Sequence, residues 1–236
     1  MDANFRILIF GSSGAIGSAI TSYFLQNEWD VVSVSHTSNG TNTTKNFAYD
    51  PFSTVTCSVD LLDANAPYNA VCWAQGRNVS DNVYTVDMDE HLAVYQANCS
   101  YILATLKILL NRRLLASGSR LCIISSIWQN LARQDKLSYC VSKAALQGLV
   151  LSASADLARD GILINAILPG ALDTPMTRQN LAQDQLEKLL AATFFNRLPA
   201  LQDIANLAFF LCSSQNTGIT GQFIAADLGF SHVRLL

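Results

Sequence analysis

The chain has 236 residues, of which half are hydrophobic and 14% are charged, and its formal net charge is −3. This length suits one domain over residues 1–236, and the apolar content is enough for a core that is covered on both faces. No apolar run approaches the roughly 18 residues of a membrane span, and a weakly acidic chain without a basic block is not expected to bind nucleic acid.

Six cysteines are scattered along the chain without a Cys-x-x-Cys pair or a histidine at metal-ligand spacing. Most lie in apolar segments, where a thiol behaves as a small buried hydrophobic group in a reducing compartment. The N-terminus shows no basic leader followed by an apolar stretch. We therefore expect a cytoplasmic protein without a metal site.

Short β-like apolar runs alternate along the chain with longer helical patterns. The strands are predicted at residues 6–10, 31–35, 46–49, 70–74, 121–125, 162–167 and 222–226. The helices are predicted from about residue 15, at 87–115, at 139–159 and at 202–212, with Asp87 and Glu90 spaced as in a capping box and Gly161 as a stop. This alternation predicts an α/β fold, a doubly wound (Rossmann) parallel sheet of about seven strands with helices on both faces.

The segment 11–17, Gly-Ser-Ser-Gly-Ala-Ile-Gly, follows the first predicted strand and opens the first helix. Small residues let backbone N–H groups approach a pyrophosphate, and the N-terminus of a helix favours an anion. A tight turn is the alternative, but the position after the first of several alternating strands favours a dinucleotide site. The candidate contacts are Gly11, Ser12, Ser13, Ala15, Ile16 and Gly17.

The end of the second strand indicates which dinucleotide is preferred. An acidic residue there would hold the ribose diol of NAD, but the chain reads Ser35-His36-Thr37. Small hydroxyls and a histidine suit the 2′-phosphate of NADP better, and Lys45 lies nearby in the sequence. Because no arginine is present, NAD stays open as the alternative, and His36 is equally compatible with a solvated loop.

Tyr139 and Lys143 are four residues apart on a predicted helix, so the phenol and the ammonium share one face, and Ser126 lies 13 positions before the tyrosine. A free phenol titrates near ~10, and a cation ~4 Å away contributes about 4 kcal/mol at an effective dielectric of ~20. That would move the phenol pKa towards ~7, where proton transfer is efficient. A half-buried tyrosine beside a solvated lysine is the alternative for the pair alone.

In this order, these features resemble the short-chain dehydrogenase/reductase family, specifically its branch that includes the 3-oxoacyl-carrier-protein reductases. The resemblance extends from Ile7 to about Ser231. The matching motifs are the glycine loop, the strand ending at Ser126, Tyr139-x-x-x-Lys143, the Asn-x-x-x-Pro-Gly-x-x-x-Thr segment at 165–174 and Gly-Ile-Thr-Gly-Gln at 218–222.

The resemblance implies a catalytic tetrad of Asn98, Ser126, Tyr139 and Lys143. Tyr139 would exchange a proton with the substrate oxygen, and Lys143 would lower the phenol pKa and bind the nicotinamide ribose. Ser126 would orient the carbonyl and stabilise developing negative charge, and Asn98 would help to hold a proton-relay water. The alternatives are a mid-helix polar residue for Asn98 and a strand-end cap for Ser126.

The resemblance also implies contacts around the coenzyme and the substrate. Beyond the glycine loop, coenzyme contacts are expected from Ser35, His36, Thr37, Asp50, Ala74, Gly76, Tyr139, Lys143, Pro169, Gly170, Leu172 and Thr174, with Asp60 as a rival to Asp50. Substrate contacts are expected from Ser126, Trp128, Gln129 and Tyr139, and the segment at about 171–198 would border the substrate.

The chain departs from the family pattern at two places near the predicted coenzyme site. Phe10 stands where the glycine motif usually begins with threonine, which removes a hydroxyl that ties the loop together. The Asn-Asn-Ala-Gly motif is replaced by Trp73-Ala74-Gln75-Gly76, so both asparagines are absent. The local hydrogen bonding must therefore differ from that of the family.

Together, the motifs and the resemblance predict an NADP(H)-dependent oxidoreductase that reduces a small-molecule ketone to a secondary alcohol, or runs the reverse. The resemblance further implies a homodimer or homotetramer. The alternatives are an NADP(H)-binding regulatory or sensor protein on the same scaffold, and an isomerase or epimerase using transient oxidation. Acyl thioesters, sugars, polyketides and steroid-like ketones all stay open as substrates, because residues 177–195 contain no cluster of arginines.

Overall fold

The structure, a computed structural model, describes residues 5–35, 45–53, 59–174, 177–178 and 183–232. These residues form a sheet of seven parallel strands in the order β3-β2-β1-β4-β5-β6-β7. The strands are β1 (Arg6–Phe10), β2 (Asp30–Ser35), β3 (Asn46–Ala48), β4 (Tyr68–Trp73), β5 (Leu115–Ile124), β6 (Leu163–Pro169) and β7 (Phe223–Ala226). The predicted doubly wound parallel sheet is confirmed.

The α-helices in the described residues connect these strands in the alternating pattern that the sequence predicted. They are α1 (Ala15–Gln26), α2 (Val59–Ala64), α3 (Met88–Tyr95), α4 (Tyr101–Asn111), α5 (Leu137–Leu157), α6 (Gln183–Ala191) and α7 (Leu201–Cys212). Helix α6 was not predicted from the sequence. None of the helices described is long and apolar enough to cross a membrane.

Two apolar layers cover the two faces of the sheet, because successive side chains of a strand point to opposite faces. In β1, Leu8 and Phe10 belong to one layer, which also contains residues of α4 and α5. Ile7 and Ile9 belong to the other layer, together with residues of α1 and α7. These four side chains are fully buried, as expected for a strand in the middle of a covered parallel sheet.

The predicted helix at 87–115 is interrupted near its middle. Its N-terminus is capped as predicted, with the Asp87 carboxylate accepting a hydrogen bond from the Glu90 N–H at 2.9 Å. A π-helical turn at Gln96–Ser100 then separates α3 from α4. Such i→i+5 turns are rare and occur often at functional sites. The periodicity of the sequence alone did not indicate this turn.

Strand β5 begins six residues earlier than predicted, at Leu115. The sequence there is polar and contains Gly118, which adopts φ 69°. Tertiary contacts stabilise this part of the strand, since Leu115 pairs with Tyr68 and the buried Ser119 hydroxyl donates to the Tyr68 carbonyl at 3.0 Å.

The strand order places a crevice at the carboxyl edge of the sheet. Strand β1 lies between β2 and β4, so the connections from β1 and β4 leave to opposite sides. Ligands of doubly wound sheets bind at such a switch point. The fold therefore brings the glycine turn after β1 next to the segment that follows β4.

Candidate active site

The glycine turn after β1 is packed directly against the segment after β4. Gly11 adopts φ +76°, and a Cβ there would lie 2.4 Å from the Gln75 backbone nitrogen. A Cβ on Gly17 would lie 2.1 Å from the Gly11 carbonyl oxygen. Both positions therefore require glycine, and the turn forms a shallow cradle of exposed backbone at the N-terminus of α1.

The other residues of this turn divide into two groups by their burial. Ser12 is fully buried, and its backbone N–H and hydroxyl both donate to the Val34 carbonyl of β2, at 3.2 Å each. Its side chain thus stabilises the turn from inside. Ser13 and Ala15 are exposed, and Ile16 is half-buried, so these residues lie on the side from which a ligand approaches.

An aromatic pair occupies the two positions where the family pattern has threonine and asparagine. Phe10 and Trp73 are fully buried and stacked with their ring centroids 5.8 Å apart. The Trp73 indole N–H donates to the Thr105 hydroxyl of α4 at 2.8 Å. Aromatic packing between β1 and β4 thus takes the place of the threonine and asparagine side chains of the family pattern.

A cavity of about 510 Å³ extends from the glycine turn along the ends of β1 and β4. Its wall includes Asp50, Ala74, Gln75 and Gly76, whereas Asp60 lies exposed in the first turn of α2. Both polar atoms of the Gln75 amide are buried and have no hydrogen-bond partner among the described residues. A buried amide without partners is costly, so the cavity offers a polar ligand a donor and an acceptor.

The end of β2 is only partly described. Ser35 is the last residue of β2, while His36 and Thr37 lie outside the described residues. The Lys45 ammonium contacts both carboxylate oxygens of Asp30, at 2.7 and 2.8 Å. Because Asp30 begins β2, Lys45 points to the amino edge of the sheet, away from the crevice.

Tyr139, Lys143, Ser126 and Asn98 converge near the carboxyl ends of β4 and β5. The Lys143 ammonium lies 5.7 Å from the Tyr139 ring centroid. The Ser126 hydroxyl lies near the Tyr139 phenol and lowers its pKa. A Cβ on Gly76 would lie 3.2 Å from the Asn98 side-chain oxygen and 3.8 Å from the Lys143 ammonium. The segment after β4 therefore lies against the same cluster.

Burial dominates the electrostatics of the pair on α5. Burial raises the pKa of the Tyr139 phenol, the Ser126 hydroxyl opposes this, and Cys140 adds a smaller increase. Burial also lowers the pKa of Lys143 to about 8. The expectation of a lowered phenol pKa is therefore wrong for this structure, because the ammonium donates to the Ile124 carbonyl at 2.9 Å and both groups are desolvated.

Asn98 lies within the π-helical turn and is fully buried. Its side-chain oxygen accepts from the Arg77 N–H at 2.7 Å, and its amide donates to the Arg77 carbonyl at 2.9 Å and to the Ser142 hydroxyl at 2.8 Å. Asn98 thus ties the loop after β4 to helix α5. Sequence reasoning missed Ser142, although it lies inside the Tyr-x-x-x-Lys motif.

Ser126 and its neighbours form a short 3₁₀ turn at Ile127–Gln129. The Ser126 side-chain oxygen accepts from the Trp128 backbone N–H at 3.3 Å, so the serine caps this turn as well as contacting Tyr139. Gln129 is buried and bonded to the Ser125 hydroxyl at 2.8 Å, whereas Trp128 faces the adjacent cavity.

The segment after β6 packs against the end of β7. Pro169 ends β6 and pairs with Ala226 of β7, and a Cβ on Gly170 would lie 2.8 Å from the Asp227 Cβ. Leu172 is 9% exposed, and the Thr174 hydroxyl oxygen accepts from the Thr177 N–H at 3.1 Å. These residues follow the carboxyl end of β6, and their contacts with a coenzyme stay a prediction.

A second cavity, of about 830 Å³, opens beside Trp128 and is bordered by Ala171, Thr177 and residues of α6. It matches part of the segment at 171–198 that was predicted to border the substrate. In the part of the chain described here, no group of three or more metal-binding side chains is present.

The fold and the site define a dinucleotide-binding α/β protein with a Ser-Tyr-Lys centre. A family model described as Enoyl-(Acyl carrier protein) reductase matches residues 68–231, and one described as NAD dependent epimerase/dehydratase family matches residues 7–94. The chain belongs to the short-chain dehydrogenase/reductase family, whose members are oxidoreductases that use nicotinamide coenzymes and act on small molecules.

Curated relatives are similar to the chain over part of their length. The chain is 26% identical over 154 residues to the 7alpha-hydroxysteroid dehydrogenase of Clostridium sardiniense, which covers 65% of the chain and 59% of that protein. It is 29% identical over 136 residues to the 3-oxoacyl-(acyl-carrier-protein) reductase FabG of Escherichia coli, which covers 58% and 55%, respectively. The chain thus spans less than two thirds of these relatives.

Solved structures share the fold over nearly the whole chain. A short chain dehydrogenase family protein from Francisella tularensis has a TM-score of 0.84 at 22% identity, covering 97% of this chain and 99% of that one. A variant of ElxO with NADPH bound has a TM-score of 0.84 at 20% identity, covering 96% of this chain and 98% of that one.

Proposed function

We propose that the protein is an NADP(H)-dependent oxidoreductase that interconverts a ketone and a secondary alcohol, with Tyr139 as the acid–base. The observation that carries this proposal is the convergence of Ser126, Tyr139 and Lys143 beside Gly76, at the edge of the sheet where the glycine turn also lies. Membership of an oxidoreductase family supports the same reaction class.

The residues around the crevice fit a dinucleotide. The cradle at Gly11 and Gly17 would receive the pyrophosphate, and Asp50 and the unpartnered Gln75 amide would face the adenosine half. Pro169, Gly170, Leu172 and Thr174 would border the nicotinamide half. When bound, the coenzyme supplies or accepts the hydride.

NADP is proposed over NAD because Ser35-His36-Thr37 contains no carboxylate to hold a ribose diol. The NADPH bound to the ElxO variant supports this choice by analogy. NAD is the alternative, since Lys45 is paired with Asp30 at the opposite edge. Direct titration with both coenzymes decides between them.

In the proposed reduction, Tyr139 is the proton donor. With its pKa raised by burial, the phenol holds its proton at neutral pH, ready to transfer it to a ketone oxygen as the carbon is reduced. Ser126 would hold the carbonyl oxygen against the phenol, and Lys143 would stabilise the phenolate that remains. Asn98 acts as a positioning residue through Arg77 and Ser142, and a relay water at this turn stays a prediction.

Replacing the phenol tests the proposal directly. Tyr139→Phe should lower turnover by roughly 10²–10⁴-fold, because the proton donor is lost, while affinity for NADPH changes little. Turnover is followed by loss of the reduced-nicotinamide absorbance with a panel of ketones, and coenzyme affinity by calorimetry. Tyr84→Phe, at a tyrosine that is 94% exposed, is the matched control. Substantial activity in Tyr139→Phe would show that Tyr139 does not have this role.

An isomerase or epimerase that uses transient oxidation is the second candidate, supported by the match of residues 7–94 to the epimerase/dehydratase family model. The same assay separates the possibilities. Net consumption of NADPH indicates the oxidoreductase, and product without net consumption indicates the isomerase. Binding of coenzyme without any product indicates a sensor.

We also propose that the protein forms a homodimer or homotetramer through helices α4 and α5. Leu103, Val141 and Leu151 are 58%, 42% and 49% exposed on these helices. By contrast, Leu146 and Val150 are fully buried, so they belong to the core. Exposed apolar side chains on adjoining helices are typical of a contact surface.

A further inference from the structure

Positively charged side chains from separate parts of the chain line the 830 Å³ cavity beside Trp128. Arg133 and Lys136 lie in the loop before α5, and Lys188 lies on α6. None of the aspartates and glutamates in the described residues lines this cavity. The sequence did not reveal the cluster, because its members are up to 55 positions apart.

Lys136 is fixed by neutral groups. Its ammonium donates to the Asn78 side-chain oxygen, the Val79 carbonyl and the Ser80 hydroxyl, each at 3.1 Å. An ammonium has three N–H donors, so these bonds hold it in place, and no carboxylate of the described residues lies within ion-pair distance of it. The cavity wall therefore carries a positioned positive charge.

Arg133 adds a second charge nearby. Its guanidinium lies 5.9 Å from the centroid of the Trp128 ring, and it has no carboxylate within ion-pair distance among the described residues. Burial lowers the pKa of Lys136, and the charge of Arg133 lowers it further, against smaller opposing effects of Asp81 and Asp135. Two cations that line one concave site attract an anion.

The wall also contains apolar side chains beside neutral polar ones, and Trp128 brings it close to Ser126. Trp128 and Phe230 meet edge to face with centroids 6.1 Å apart, and Leu189 closes the α6 side. The Trp128 backbone N–H donates to the Ser126 oxygen, and the Arg133 guanidinium lies near the Trp128 ring, so Trp128 contacts both Ser126 and Arg133. A substrate with its carbonyl at Ser126 would extend along the indole towards the cations.

We propose that the substrate is an apolar carbonyl compound with an anionic end, a carboxylate or a phosphate, which Arg133 binds and which the positive charge of Lys136 attracts. The proposal rests on the proposed function and specifies its substrate class. Arginine is suited to this role because its planar fork pairs with two oxygens of either group. Lys188 contributes less, since its ammonium is exposed and lies 3.6 Å from Asp184.

Matched substrates test the inference with the full chain and saturating NADPH. The comparison uses medium-chain oxo-carboxylates, their methyl esters, and oxoalkyl phosphates of equal length. We expect the wild type to prefer an anionic member over the ester by about ten- to hundredfold in kcat/KM. Arg133→Gln should remove this preference mainly through KM, with little effect on the esters. Which anionic series shows the preference identifies the group.

Arg159→Gln, at an arginine whose side chain is 86% exposed, is the control and should leave the preference unchanged. A binding measurement makes the test independent of turnover: octanoate or octyl phosphate should bind the NADPH complex more tightly than octanamide, and Arg133→Gln should abolish the difference. The inference is overturned if the wild type shows the same kcat/KM and the same affinity for anionic and neutral ligands. Failure to bind either coenzyme would instead overturn the proposed function.

Discussion

At the scale of single residues, burial decides the direction of the pKa shifts of Tyr139 and Lys143. Lys143 is only 4% exposed, and its ammonium donates to the Ile124 carbonyl within the core. Burial disfavours the charged form, which lowers the pKa of Lys143 to about 8. The same burial keeps the Tyr139 phenol protonated, so the residue spacing identified the pair but gave the wrong direction for the phenol.

This lowered pKa predicts a pH dependence of stability. Between about pH 8 and its ordinary value of 10.5, Lys143 binds fewer protons in the folded than in the unfolded chain, so it makes the free energy of unfolding rise with pH. Relative to Lys143→Met, the wild type should gain on the order of 3 kcal/mol across this window. Urea unfolding at pH 7, 8, 9 and 10 measures the difference.

The control for this prediction is Lys107→Met, which removes an exposed lysine from α4. It should follow the wild type at each pH. If the difference between wild type and Lys143→Met stays constant from pH 8 to pH 10, the ammonium is not desolvated in the folded protein.

At the scale of elements, the N-terminus of α5 is held by a distant segment. The Asp81 carboxylate accepts from the Ser138 N–H at 3.0 Å and from the Ser138 hydroxyl, and the Asp81 carbonyl accepts from the Leu137 N–H at 3.1 Å. Asp81 is 5% exposed and thus acts as a cap supplied from outside the helix. Because Tyr139 follows directly, this cap also fixes the phenol.

Removing the two helix caps should therefore have different consequences. Asp81→Ala should lower the free energy of unfolding by about 1–3 kcal/mol and reduce kcat at saturating coenzyme, because α5 loses the bonds that orient Tyr139. Asp87→Ala removes the cap of α3 and should cost about 1 kcal/mol while kcat is retained. Chemical unfolding and steady-state kinetics of both variants check this. A fall in kcat of equal size in both would argue against a specific role for Asp81.

At the scale of the whole molecule, the exposed apolar residues of α4 and α5 predict self-association. Leu103→Asp and Leu151→Asp should each weaken the assembly by at least about 30-fold, because a charge would be buried at the contact. Sedimentation or light scattering across micromolar concentrations measures this. Leu25→Asp, at a leucine of α1 that is 38% exposed, is the control. A wild-type monomer at these concentrations would contradict the proposal.

The sequence by itself determined the features that depend on local spacing. Alternating apolar runs specified the covered parallel sheet, and Gly11 and Gly17 marked the turn because no Cβ fits at either position. The interval between Tyr139 and Lys143 placed both on one helical face, as the structure shows. These patterns are readable because backbone sterics and side-chain periodicity act over a few residues.

Only the tertiary structure decided the features that depend on distant neighbours. Lys45 pairs with Asp30 at the amino edge, and Asp81 caps a helix 57 residues further along. Arg133 and Lys136 line one cavity together with Lys188 of α6. The pKa of a group and the charge of a pocket depend on burial and on every nearby charge, whatever its place in the chain. Sequence spacing therefore located the proposed catalytic groups, while folding set the pKa shifts of Tyr139 and Lys143 and the charge of the cavity beside Trp128.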